Sequence, residues 1–134
     1  MQRTLPPKAS IRLVRDEAEA LALFAPLAGQ RLEACAFAYL DPKWRLLGLR
    51  HVPSPVRDAV TIPFREIVRD ALLVKARMVV MAHNHPSGDA RPSGDDLRVT
   101  RRLARALDAI DVQLADHLIV TPGGGVSIRR EALL

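Results

Sequence analysis

The run Arg77–Ala82, RMVVMA, constrains the fold of this chain more than any other stretch. It is short, apolar and rich in Val and Met, so it reads as a buried central strand. It runs into His83-Asn84-His85, and a loop rich in Pro, Gly and Ser then leads to Ser93-Gly94-Asp95-Asp96. From about Gly94 to Ile110, Leu97, Thr100, Leu103, Leu107 and Ile110 recur at helical spacing and give a long helix one buried stripe.

The other elements build around that strand. Val14 to Ala28 places Leu21, Phe24 and Leu27 as a helix with acids in its first turn, ended by Gly29. RLEACAFAYL, residues 31–40, carries Phe37 and Tyr39 at alternate positions and reads as a strand. Asp41-Pro42-Lys43 turns it into a second strand, WRLLGLRHV, so the pair is a hairpin. AVTI, residues 59–62, reads as a short edge strand, and Pro63 suits the first turn of a helix running to about Lys75. QLADHLIV is a strand, TPGGG a turn, and VSI a short final strand before a terminal helical turn. Residues 1–9 hold two prolines and no apolar period, and read as a loose arm. The interleaving predicts an α/β sandwich with one mixed β-sheet flanked by helices. The 134 residues suit a single globular domain, with 1–31 as arm and helix and 32–134 as its main body.

Several classes are excluded by composition. Cys35 is the one cysteine, so no internal disulfide framework exists, and a reducing cytoplasm fits. The apolar run ALALFAPLA follows Asp16, Glu17 and Glu19, contains a proline, and is too short to span a bilayer, so no membrane partner is expected. The net charge of +5 is compatible with an acidic partner, DNA included, but the basic residues are mostly scattered and aromatic residues are few. The exception is Arg98, Arg101, Arg102 and Arg105 on one helix face, which reads as a solvated face or as a surface for DNA or an acidic protein. TPGGGVS lacks the lysine of a phosphate-binding loop.

On an extended segment residues i and i+2 share a face, so His83 and His85 present both imidazoles to one side. Two imidazoles and a nearby carboxylate form a natural zinc-ligand set, and Asp96 is within reach. Three protein ligands leave the fourth tetrahedral position open, the arrangement of a catalytic rather than a structural zinc site. Ser93-x-x-Asp96 ahead of an amphipathic run also reads as a helix capping box, and a ligating Asp96 leaves Ser93 free to cap.

His83-x-His85, seven residues, Ser93, two residues, Asp96 spells the JAMM signature, and on it the chain resembles the JAB/MPN metalloprotease-like proteins. HNHPSGDARPSGDDLRVT, with DHLIV downstream, resembles the RadC-type bacterial branch in particular. The resemblance runs from about Leu32 to the C-terminus and implies a JAB/MPN, cytidine-deaminase-like sandwich. RadC-type proteins carry a helical region ahead of this domain, and the roughly thirty residues here suggest a stand-alone domain. The resemblance further implies Zn2+ on His83, His85 and Asp96, with Ser93 stabilising a tetrahedral intermediate. It calls for an upstream glutamate as general base, and Glu33, directly before an apolar strand ending in Leu-Asp, fits that place, with Glu66 in PFREIVRDAL as the runner-up. The implied reaction is hydrolysis of a peptide or isopeptide-linked protein substrate. The short connection from the long helix to DVQLADHLIV leaves little room for the insertions with which deubiquitinating relatives grip ubiquitin. The alternative is a DNA-associated accessory module. His117, within the family phrase, is a candidate for a supporting contact behind the zinc ligands. Cys35 shares the strand face of Glu33, yet nothing local activates its thiol.

Overall fold

Two segments of the chain, β2 (Ala34–Leu40) and β4 (Met78–Asn84), are buried at every position. A strand with no polar alternation has to be covered on both faces, and these two lie at the centre of a six-stranded sheet. The computed structural model describes residues 2–4, 11–53 and 62–131. Around the central pair lie β1 (Gln2–Thr4), β3 (Leu46–Pro53), β5 (Gln113–Thr121) and β6 (Gly124–Ser127), in the order β1-β3-β2-β4-β5-β6. Neighbours run antiparallel except β4 and β5, which are parallel. A parallel pair needs a crossover, and α3 (Gly94–Asp108) supplies it. The mixed α/β sheet expected from the sequence is therefore present.

Alternation sorts the core into two layers. Cys35, Phe37 and Tyr39 of β2 and Val79 and Met81 of β4 pack under α2 (Phe64–Leu73) and α3, with Ile67, Ala71, Leu103 and Leu107. Ala34, Ala36, Ala38 and Leu40, with Val80 and Ala82, face α1 (Glu17–Phe24) and the 3-10 turn Ala25–Gly29. Period two thus puts His83 on the α3 side and Asn84 on the α1 side.

The boundaries differ from expectation where local chemistry intervenes. The first helix starts later than Val14: Asp16 caps it by accepting from the Glu19 N–H at 2.8 Å, while Val14 is extended and donates its N–H to the Trp44 carbonyl. It also ends earlier, because Pro26 lacks the N–H that would continue it, and a 3-10 turn finishes the segment. After β2, the Asp41 carboxylate accepts from the backbone N–H groups of Lys43 and Arg45. The turn is thereby extended, and β3 starts at Leu46 rather than Trp44. The N-terminal arm is not wholly loose, since Gln2–Thr4 pairs with His51, Arg50 and Leu49 as an edge strand. Edge pairing uses backbone groups and leaves no apolar period to read. Of the expected AVTI strand, 59–61 lie outside the described residues, and Ile62 is buried but not in a strand.

Candidate metal centre

The end of β4 and the start of α3 bring the predicted ligands together. His83 is fully buried and His85 nearly so. His83 Nε2 lies 2.9 Å from His85 Nε2, His85 Nε2 lies 3.1 Å from Asp96 Oδ2, and His83 Nε2 lies 3.3 Å from Asp96 Oδ1. Donors bound tetrahedrally to zinc at about 2.0–2.1 Å stand about 3.3 Å apart, so this spacing fits one shared ion. Among the described residues these three are the cluster of His, Cys, Asp or Glu able to hold a metal.

Hydrogen-bond direction shows what the three atoms need. The Thr100 hydroxyl has one proton, and it donates to the Asp96 carbonyl at 2.6 Å. His117 Nδ1, within hydrogen-bond distance of Thr100 Oγ1, is therefore the donor in that contact. Its Nε2 is left as an acceptor, facing His83 Nδ1 at 2.6 Å, so His83 carries its proton on Nδ1 and presents a bare Nε2. His85 is fixed independently, because its Nδ1 faces the Asp89 carbonyl at 2.7 Å, which can only accept. With both rings neutral, two lone pairs and a carboxylate oxygen point at one another. A cation resolves that conflict.

In the metal-free protein a proton on His85 can take the place of that cation. Burial holds the fully enclosed His117 well below its ordinary value, and the neighbouring His83 adds to this, so the ring stays neutral. His85 is shifted up, chiefly by its hydrogen bond to Asp96, against the opposing effect of burial. For Asp96 burial pushes upward, but the contacts with the His83 and His85 rings outweigh it and hold the carboxyl well below the carboxylate range.

The cleft above the ligands is also lined by Arg31, Glu33, Ser93, Asp95 and Arg98. Ser93 is the N-cap of α3, with Oγ accepting from the Asp96 N–H at 3.0 Å and its own N–H donating to Asp96 Oδ2 at 2.8 Å. The capping box and the ligand role therefore use the same carboxylate. Glu33 stands at the mouth of β2, close enough for its charge to contribute to the rise in His85. Glu66 lies on α2 beside a different hollow, with Arg50, Arg69, Asp70 and Leu73. The arginines of α3 divide: Arg98 pairs with Asp95 at the cleft, Arg102 stacks 4.3 Å over the Phe64 ring, and Arg101 and Arg105 are exposed. Cys35 is buried, and burial pushes its thiol up to about 12, far from a thiolate nucleophile.

Sequence reasoning missed three participants. Thr100 looked like one more position in the buried stripe, although a Thr on an apolar helix face facing a strand His was a signal. The Asp89 carbonyl left no residue-type signal. Asp116 accepts from the N–H groups of His117 and Arg129 and from the Ser127 hydroxyl, tying the C-terminal segment to β5.

Comparison with known proteins gives a consistent picture. Residues 14–133 match the family model described as RadC-like JAB domain. The UPF0758 protein of Alcanivorax borkumensis is 42% identical over 106 residues, covering 79% of this chain and 47% of the relative. That of Vibrio cholerae is 42% identical over 94 residues, 70% of this chain and 60% of the relative. That of Cellvibrio japonicus is 39% identical over 125 residues, 93% and 54% respectively. The chain spans about half the length of the curated relatives it matches.

Proposed function

The chain belongs to the RadC-like JAB domain family, and from that premise we propose that it is a zinc-dependent hydrolase of a peptide or isopeptide bond. The observation that carries this reading is the convergence of three potential ligand atoms, His83 Nε2, His85 Nε2 and an Asp96 oxygen, in a cleft that also holds Glu33. Two imidazoles and one carboxylate suit zinc, and three ligands leave it a position for water or substrate. Zinc so held supplies Lewis acidity, which brings the pKa of a ligand water from 15.7 to about 7.

The chain's own groups do the rest. Glu33 takes the proton of the attacking water and delivers it to the leaving amine, so the C–N bond breaks without expelling an amide anion. Ser93 accepts from the Asp96 N–H and still has its hydroxyl proton to donate to the oxyanion that forms. His117 and Thr100 keep His83 in the tautomer that binds.

The test is hydrolysis by zinc-loaded protein of a fluorogenic library of lysine isopeptides. Glu33→Ala is expected to keep the metal and to lower turnover by roughly 10²–10⁴-fold. Turnover that survives both Glu33→Ala and chelation contradicts the reading.

A second reading rests on Arg101 and Arg105, exposed and without an ion pair among the described residues. It makes the domain an accessory module that binds DNA through α3. Duplex DNA retarded in a gel by the wild type, progressively less as salt rises, and not by Arg101→Glu/Arg105→Glu supports that role.

A further inference from the structure

Asn84 stands between the two histidine ligands yet faces the opposite side of β4, where it is 1% exposed. Among the described residues its three side-chain hydrogen bonds go to the backbone at the start of β2 and just ahead of it. Its Oδ1 accepts from the Ala34 N–H at 2.6 Å, and its Nδ2 donates to the carbonyls of Gln30 at 3.2 Å and Leu32 at 3.0 Å. The register between β2 and β4 stops at Cys35 opposite His83. Beyond that rung the Asn84 side chain takes over from the backbone ladder. Glu33 lies inside the stapled segment, with the Leu32 carbonyl held on one side of it and the Ala34 N–H on the other.

We propose that Asn84 is a positioning residue, which sets the Glu33 carboxylate at a fixed place relative to the metal centre. The inference rests on the hydrolase reading and deepens it. Three consecutive residues do the work: His83 and His85 hold the ion on one face of β4, and Asn84 holds the base from the other. The distance between base and ion is thereby built into one short stretch of strand. The residue type follows from the partners, because the segment offers one donor and two acceptors. A primary amide matches that set. Aspartate brings no donor, serine only one, and alanine leaves three backbone groups to find other partners.

The test compares Asn84→Ser, Asn84→Ala, Glu33→Gln and the Asn84→Ser/Glu33→Gln double variant, each loaded with cobalt(II) and, separately, with zinc. Serine fits the site, keeps a polar group there and stops short of the Ala34 N–H, so it carries the test if the alanine variant fails to fold. Expected for Asn84→Ser are one metal per chain and amide exchange at Ala34 faster by about tenfold or more. Its kcat on the isopeptide library falls roughly 10²-fold with KM little changed, the size of loss that a misplacement of about 1 Å brings. The pH midpoint of the cobalt visible bands moves as it does in Glu33→Gln, and the double variant moves it no further. A serine variant whose midpoint and kcat stay at wild type, while Glu33→Gln shifts both, overturns the inference and leaves the hydrolase reading standing. If Glu33→Gln itself changes neither, the assignment of the base falls and this inference falls with it.

Discussion

One hydroxyl proton decides the state of an imidazole two hydrogen bonds away. Thr100 donates to the Asp96 carbonyl, so His117 must donate to Thr100, and His83 must donate to His117. Replacing Thr100 by valine keeps the volume and removes the acceptor. His117 then gains by carrying its proton on Nε2, which opposes the Nδ1 proton of His83. Thr100→Val is expected to weaken zinc binding by about 10–100-fold, read by competition with a chromophoric chelator, while Thr100→Ser stays near wild type. A second consequence concerns pH. The raised His85 stabilises the metal-free fold fully below its ordinary 6.5, and that contribution is lost as pH rises through the raised value. The lowered Asp96 contributes above its ordinary 3.8 and loses that contribution only as pH falls towards its depressed value. Zinc needs bare histidines, so protons compete with it at low pH. The gain in Tm from saturating zinc is therefore expected to grow between pH 5.5 and pH 8, and a gain that is flat with pH speaks against His85 as ligand.

Among the elements, α2 is locked to the sheet by a buried charge cluster. Asp70 accepts from the Tyr39 hydroxyl at 2.7 Å and pairs through both oxygens with Arg50 of β3. Asp70→Ala strands a largely buried guanidinium, and a loss of about 3–5 kcal/mol is expected in urea denaturation, with metal stoichiometry unchanged. At the other end of the sheet Gly125 lets β6 meet α1: a Cβ there would lie 2.5 Å from Leu21 Cδ2 and 3.0 Å from the Ile119 carbonyl. Gly125→Ala is expected to cost about 1–3 kcal/mol by the same measurement. The elements around the metal were legible because β4, its loop and α3 each carry a separate period, with the Ser93 cap marking the change. α1 was misjudged at both ends because its apolar spacing runs on through Pro26 and back over an extended Val14. β1 was illegible, since edge pairing is a backbone matter. The Asn84 staple had no local sign at all, because its three partners are backbone groups 50, 52 and 54 residues away. The ligands themselves were legible because strand period and helix capping, both local rules, already place them.

For the molecule as a whole, the sheet serves as a frame with different tasks at its two faces. The α3 face carries the His83–His85–Asp96 cluster and the His117 relay, and the α1 face carries the Asn84 staple that brackets Glu33. No helix of the described residues is long and apolar enough to cross a membrane. Calorimetric titration of zinc into the metal-free protein reads whether His83, His85 and Asp96 together hold one divalent cation. One ion per chain is expected, with binding lost in His85→Ala and in Asp96→Ala and retained in Arg101→Ala. Absence of binding by the wild type, or binding that survives both ligand substitutions, would contradict that shared coordination.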